Sequence, residues 1–96
     1  MKTTVVIQIG NSDDKLRQIE WSAFIHKTSS LIHNRADKIF FTGFSVPTEV
    51  WQNACWIFLI DASQSHLLWD EMKNLCREFK QDSIAWMEGI TVFVEA

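Results

Sequence analysis

His66 and Asp70 are candidates for metal binding, because they lie four residues apart near the start of a predicted helix, with Asp61 close by. This spacing puts two side chains on one helix face, which can supply two ligands to one ion. The same pattern also describes a histidine in a first turn and an acid that faces solvent. No third or fourth ligand can be named, and we therefore expect no metal site.

Asn11 to Asp14 (NSDD) form a second candidate site, since they follow a predicted strand and precede a predicted helix. The loop after a first strand often faces a cleft, where carboxylates could bind Mg²⁺ or a ligand that carries hydroxyl groups. Capping of the helix explains Ser12, Asp13 and Asp14 as well. The stretch has neither the glycines of a phosphate-binding loop nor the spaced acids of an EF-hand. Asp13, Asp14 and His66 remain an alternative ligand-binding set.

Cys55 and Cys76 stand in apolar runs, without a C-x-x-C pair or histidines at zinc-finger spacing. We interpret them as small buried hydrophobic residues, although one disulfide is formally possible. Ser63 and Ser65 flank His66 closely, but adjacency alone does not make a nucleophile and its base. We therefore predict no catalytic residue and no cofactor. Because no signal-peptide pattern is visible, we expect a cytoplasmic protein.

The tryptophans carry the strongest indication of binding, since the chain has five Trp and seven Phe but no Tyr. Trp21, Trp56 and Trp86 follow helix or strand periodicity, which predicts that they pack inside the protein. Trp51 lies in a polar loop that contains the single proline, and Trp69 flanks a helix stripe. Exposed tryptophan is enriched at protein interfaces. Partner contact and local loop packing both remain open for Trp51.

Runs of β-branched and apolar residues predict strands at 3–9, 38–44 and 54–61. The last of these is apolar on both faces, which is typical of the interior of a sheet. In the second strand, simple alternation puts Ile39 and Phe41 on one face. Residues 83–94 predict either a hairpin that turns at Glu88-Gly89, or one long strand with a bulge at Gly89.

Apolar stripes with helical spacing predict two helices. The first runs from about Lys15 to Asn34, with Ser12, Asp13, Asp14 or Arg17 as its cap, and the second begins at a cap on Ser63 or Ser65. The stripes are Trp21, Phe24, Ile25, Thr28, Leu31 and Ile32 in the first helix, and Leu68, Met72, Leu75, Cys76 and Phe79 in the second.

The order β-α-β-β-α-β predicts an α+β fold of the ferredoxin-like plait, with two helices on one face of an antiparallel sheet. With 96 residues, the chain is expected to form a single domain over residues 1–96. The strands are apolar on both faces, so the face without helices needs a cover. A homodimer that packs sheet to sheet provides that cover.

The distribution of charge narrows the class of partner. Residues 61–96 carry three basic and seven acidic side chains, and the whole chain has a net charge of −3. Nucleic-acid binding is disfavoured, because it requires clustered Lys and Arg. A basic protein partner suits an acidic face, although such a face also serves solubility alone. No apolar run reaches the roughly 18 residues of a membrane helix.

Two stretches at the ends of the chain, IGNSDDKL with EWSAF and KQDSIAW, resemble a group of small bacterial and phage-borne proteins. More broadly, the chain is similar to ferredoxin-like domains that dimerise through the sheet. The resemblance implies a fold and a compact, standalone protein. It transfers no functional residue.

Our first hypothesis is a small non-enzymatic protein that binds another protein, as an inhibitor, immunity or accessory factor of bacterial or phage origin. The predicted contact surface combines the acidic second helix with the proline-containing loop, and consists of Glu49, Trp51, Trp69, Asp70 and Glu71. The alternative is a dimeric α+β barrel that binds a small ligand, or catalyses a modest reaction, in the cleft by the first strand–helix loop. A subunit whose role is assembly alone is the third reading.

Overall fold

A computed structural model describes residues 1–11, 15–46 and 52–96 of the protein. Across these ranges the chain forms six elements. They are β1 (Lys2–Gly10), α1 (Gln18–Arg35), β2 (Lys38–Phe44), β3 (Asn53–Asp61), α2 (Ala62–Glu78) and β4 (Ala85–Gly89).

The four strands form one antiparallel sheet in the order β2-β3-β1-β4. With two helices and the order β-α-β-β-α-β, this confirms the predicted α+β ferredoxin-like plait. The strands β1 and β3 lie in the centre and pair along their whole lengths, from Lys2 opposite Asp61 to Gly10 opposite Asn53.

The hydrophobic core lies between the sheet and the helices, on the face to which alternate residues of β1 and β3 point. Both helices contribute the stripes that their spacing predicts, and the ring of Phe24 stacks on that of Phe79 with centroids 4.9 Å apart. The buried apolar residues are Val5, Ile7 and Ile9 from β1; Ala54, Trp56, Phe58 and Ile60 from β3; and Leu16, Trp21, Phe24, Ile32, Leu68, Met72 and Leu75 from the helices and the turn before them.

Both helices begin at caps that differ from the main predictions. Arg17 precedes α1, and its backbone N–H and Nε both donate to the Glu20 carboxylate, at 3.0 Å each. Arg17 is therefore the cap of this helix, and Ser12, Asp13 and Asp14 lie outside the described residues. For α2 the cap is Asp61, which accepts hydrogen bonds from the backbone and hydroxyl of Ser63, so the prediction of a serine cap is wrong.

The strand β2 contains a register shift that the alternation pattern does not predict. Ile39 pairs with Phe58, which faces the helices, whereas Phe41 pairs with Ile57, which faces the other side of the sheet. The prediction that Ile39 and Phe41 share a face is therefore wrong. A bulge adds one residue to the strand, so the residues after it point to the opposite face from the one that simple alternation predicts.

The end of the chain forms neither the predicted hairpin nor the predicted long strand. The last strand, β4, ends at Gly89, and residues 90–96 form no further strand. Side chains of Ile90, Val92, Phe93 and Val94 are exposed. The β-branched composition of this segment indicates a strand, but no neighbouring strand of the described chain pairs with it.

The helix-free face of the sheet is apolar, as predicted, and no described segment covers it. Val6, Ile57 and Leu59 lie on it from the central strands, with Met87 from β4. Phe41 lies on the same face, and its ring packs over Gly43. A Cβ atom at Gly43 would lie only 2.5 Å from that ring, so the ring occupies the space that a side chain there would need. We call this surface the open face.

Candidate functional site

Trp69 combines the exposure and the setting of a binding residue. Its side chain lies on α2 and is 48% exposed. Its ring meets the ring of Trp86, on β4, edge to face, with centroids 5.1 Å apart and an interplanar angle of 73°. Trp86 is half-buried against the core, so it fixes one side of Trp69 and leaves the other in solvent.

A cleft of about 200 Å³ opens beside the two rings, between α2 and the segment that leads into β4. Apolar side chains dominate its walls. We call this cleft with its two tryptophans the tryptophan groove, and it is lined by Trp69, Met72, Lys73, Cys76, Asp82, Ser83, Ile84 and Trp86.

Cys76 lines the groove but is not prepared for nucleophilic chemistry. Burial raises the pKa of its thiol, and its Sγ–H donates to the carbonyl oxygen of Gln81 at 3.0 Å. A thiol held protonated is a poor nucleophile. Cys55 lies on β3, and both cysteines are free, so the formally possible disulfide is not formed.

Ion pairs neutralise part of the acidic surface predicted on α2. The Glu71 carboxylate accepts from Arg35 Nε at 2.8 Å, and Lys27 Nζ binds Glu78 at 3.0 Å. Both pairs connect α2 to α1. Asp70 is exposed and has no ion pair within the described ranges. Of the predicted contact residues on α2, Trp69 and Asp70 are thus the ones available to a partner, whereas Glu71 already binds Arg35.

A cluster of side-chain amides, two of them buried, lies at the end of the sheet where β1 finishes and β3 begins. Asn11 is 1% exposed, and its Nδ2 donates to Gln52 Oε1 and to the Leu16 carbonyl oxygen, at 3.0 Å each. Its Oδ1 accepts from the Leu16 N–H at 2.9 Å. Gln52 also exchanges hydrogen bonds with Gln18, at 2.8 and 3.0 Å. We call Asn11, Gln18 and Gln52 the amide cluster.

The amide cluster joins the flanks of the two predicted functional loops. Asp13, Asp14, Glu49 and Trp51 lie outside the described residues. Their neighbours in sequence are Asn11 on one side and Gln52 on the other, and those two residues hydrogen bond to each other. The sequence does not predict this cluster, because Asn11 lies in a run of turn-forming residues and Gln52 in a polar loop.

Of the alternative ligand-binding set, Asp13 and Asp14 lie outside the described residues, and only the position of His66 is described. Lys15, next to Asp14 in the sequence, contacts Asp82 beyond the C-terminal end of α2, with Nζ and Oδ2 3.4 Å apart. His66 lies in the first turns of α2, and a helix of 17 residues is about 25 Å long. Lys15 and His66 therefore lie toward opposite ends of α2, and a site made of Asp13, Asp14 and His66 stays a prediction.

His66 is exposed, and its Nδ1 lies 3.4 Å from the carbonyl oxygen of Ala62, one turn earlier. Asp61, the third residue of the metal hypothesis, is engaged by Ser63 as the helix cap, and these hydrogen bonds lower its pKa to about 2. Within residues 1–11, 15–46 and 52–96, no three His, Cys, Asp or Glu side chains are grouped in a way that could hold a metal ion.

Two further tryptophans, Trp21 and Trp56, lie where periodicity puts them. Trp21 and Trp56 are buried, and Trp56 Nε1 is without a hydrogen-bond partner in the described structure. Their burial leaves Trp69 as the most exposed tryptophan whose position is described.

Comparison with known proteins adds no assignment, because no protein-family model matches the chain and no curated protein matches its sequence. Among the described residues, no helix is both long enough and apolar enough to cross a membrane.

Proposed function

We propose that the protein is a non-enzymatic module that binds another protein through the tryptophan groove. The observation that carries the proposal is the half-exposed Trp69, fixed by its edge contact with Trp86 beside an apolar cleft. The exposed half of that ring buries no area on folding and therefore adds nothing to the stability of the domain. In an interface, the same half of the ring provides a large apolar contact area and one N–H donor.

The shape of the groove favours one apolar anchor from the partner. A cleft of about 200 Å³ with Met72 and Ile84 in its walls accepts a single large side chain. Trp69 would then cover the anchor from the side. Pockets of this kind at the centre of an interface carry most of its binding energy, since they exclude water around the contact.

The charge around the groove favours a partner with a basic or neutral rim. Asp70 follows Trp69 and is exposed, and Asp82 lies at the other side of the groove. Lys73 offsets part of this charge. The excess of acidic residues in the last third of the chain extends the attraction beyond the contact and speeds association. Glu49 and Trp51 remain candidate contacts on the second loop.

The proposal is tested by partner capture with the immobilised protein from extracts of the cells that produce it. We expect one stoichiometric partner, and we expect Trp69→Ala to weaken its binding roughly 30-fold, the effect of a central interface tryptophan. The matched control is Ile19→Ala, which removes an exposed apolar side chain from α1, away from the groove. Trp51→Ala tests the second loop in the same assay.

Equal capture by Trp69→Ala and Ile19→Ala would show that the groove is not the contact surface. Circular dichroism of each variant confirms that its fold is retained. If the unsubstituted protein captures no stoichiometric partner, the assignment as a protein-binding module is wrong.

A further inference from the structure

Residues 90–96, which we call the tail, expose a run of apolar side chains next to an ordered strand. The exposed fractions are 88% for Ile90, 81% for Val92, 78% for Phe93 and 100% for Val94. The hydroxyl of Thr91 hydrogen bonds to that of Thr4, and the Thr3 hydroxyl donates to the Gly89 carbonyl oxygen at 2.9 Å. These contacts fix the start of the tail, and no hydrogen bond or ring contact holds residues 92–96 in the described structure.

The outer edge of β2 is a second unsatisfied surface. The sheet order makes β2 an edge strand, and no described segment pairs with its outer side. Its aromatic side chains Phe40, Phe41 and Phe44 are all exposed. A long apolar edge with free N–H and C=O groups is a template for another strand.

We propose that the tail adds as a strand to the β2 edge of a second copy of this chain, and that the second copy returns the same contact. The tail leaves β4, at the opposite edge of the sheet from β2. When two copies turn their open faces toward each other, the β4 edge of one lies across from the β2 edge of the other. A reciprocal, two-fold contact then satisfies both tails and both edges and closes without further copies.

Charge and side-chain spacing favour an antiparallel register with Glu95 opposite Lys38. In an extended strand, Phe93 and Glu95 point to the same side. On β2, Lys38 and Phe40 share a side as well, since Lys38 Nζ lies 5.7 Å from the centre of the Phe40 ring. Lys38 has no carboxylate partner among the described residues. The register therefore pairs an acid with an available cation and places Phe93 against the exposed phenylalanines.

The exposed apolar side chains lie on the surfaces that the dimer would cover. Phe40, Phe41 and Phe44 are 43 to 58% exposed, and the apolar side chains of the tail are 78 to 100% exposed. A standard stable interface buries about 800 Å² per partner, to which the open face would contribute as well. Folding of the tail over its own sheet would satisfy the tail but leave the β2 edge unpaired, whereas exchange between copies satisfies both.

The first test measures the mass of the full chain in solution by sedimentation across a range of concentrations. We expect a dimer that dissociates on dilution, and we expect Phe93→Asp to weaken dimerisation at least tenfold. The matched control, Ile19→Asp, adds the same charge at an exposed position of α1 and should leave the mass unchanged. A monomer at every concentration, or a dimer that Phe93→Asp does not weaken, would overturn the proposal.

The second test addresses the register through charge reversal. Glu95→Lys and Lys38→Glu should each weaken the dimer about threefold, since a pair of this exposure contributes less than 1 kcal/mol. The double variant should recover the original dissociation constant, whereas Glu88→Lys, a charge reversal on β4, should have no such rescue with Lys38→Glu. Additive loss in the Glu95 and Lys38 double variant would refute the register.

The third test distinguishes exchange from folding back. In a background with Cys55→Ser and Cys76→Ser, a chain with Phe93→Cys is mixed with a chain with Phe40→Cys, the position that the register places opposite residue 93, and oxidised. We expect a disulfide between the two different chains. Placing both substitutions in one chain should likewise give linked dimers, and a disulfide confined to a monomer would show that the tail covers its own sheet instead.

Discussion

Asn11→Ala is the substitution that most directly tests the role of the amide cluster. The side chain of Asn11 is 1% exposed and takes part in three hydrogen bonds, two with the backbone of Leu16 and one with Gln52. Alanine keeps the backbone N–H of Asn11, which donates to the Gln52 carbonyl oxygen at 2.8 Å. The variant therefore removes the side-chain contacts while the connection between the two chain segments remains.

The expected loss of stability follows from the number of hydrogen bonds removed and from the buried groups that then lack a partner. Each intramolecular hydrogen bond contributes about 1 kcal/mol net, and a buried donor left without a partner adds a desolvation penalty. Because Leu16 is itself buried, its N–H does not readily reach water in the variant. We expect Asn11→Ala to lower the free energy of unfolding by about 3 kcal/mol, which corresponds to a drop in Tm of at least 10 °C for a domain of this size.

Urea unfolding monitored by circular dichroism measures this loss. Asn74→Ala is the matched control, because Asn74 Oδ1 accepts a hydrogen bond from Arg77 on the exposed side of α2 at 3.0 Å. It should change the free energy by less than about 0.5 kcal/mol. In a double-mutant cycle, Asn11→Ala and Gln52→Ala should couple by more than about 0.5 kcal/mol. A loss below about 1 kcal/mol for Asn11→Ala, or no coupling, would refute the role of the cluster as the joint between the loop flanks.

Three further predictions concern acid stability, packing and thiol reactivity. The hydrogen bonds from Ser63 lower the pKa of Asp61 to about 2 from an ordinary value of 3.8, so the stability that they provide is present above the ordinary value and is lost as the pH falls through about 2. Asp61→Asn should reduce the pH dependence of urea unfolding in that window. Phe24→Ala should lower the free energy of unfolding by about 3 to 5 kcal/mol in the same assay, because Phe24 is fully buried and stacks on Phe79. In a Cys55→Ser variant, Cys76 should react with a thiol reagent more slowly in the native protein than in urea, since burial raises the pKa of its thiol.

The fold could be predicted because its signals are local and repeated. The stripe that contains Trp21, Phe24 and Ile32 recurs at helical spacing, and the continuous apolar run in β3 requires a strand that is covered on both sides or lies in the centre of a sheet. Such patterns follow from one element burying one face. These patterns therefore predict the order and the type of the elements.

The features that the sequence did not predict depend on distant partners. The shift between Ile39 and Phe41 follows from how β2 meets β3, which no pattern within KIFFTGF records. Asp61 caps α2 although Ser63 and Ser65 are good caps, because β3 ends at Asp61 and the helix begins immediately after it. Residues 90–94 have strand composition, yet pairing requires a neighbour that the sequence pattern does not identify.

The position of Trp69 at the border of core and surface follows from the sequence, whereas its surroundings do not. Trp69 was identified because it flanks the stripe of its helix without belonging to it, and the structure places it half in solvent. Its contact with Trp86 brings together residues from α2 and β4, which only tertiary packing establishes. The Glu71 carboxylate illustrates the converse, since its charge is visible in the sequence but its pairing with Arg35 is not.

The pairing of β1 with β3 has a consequence for how the chain is made. The ribosome delivers β1 first, yet Lys2 has its partner at Asp61, so the first strand waits for most of the chain before it can enter the sheet. The hairpin of β2 and β3 is the local pairing, and β1 joins an edge that already exists. Until then the apolar side chains of β1 stay unpaired on the nascent chain, where exposed strands of this kind favour aggregation.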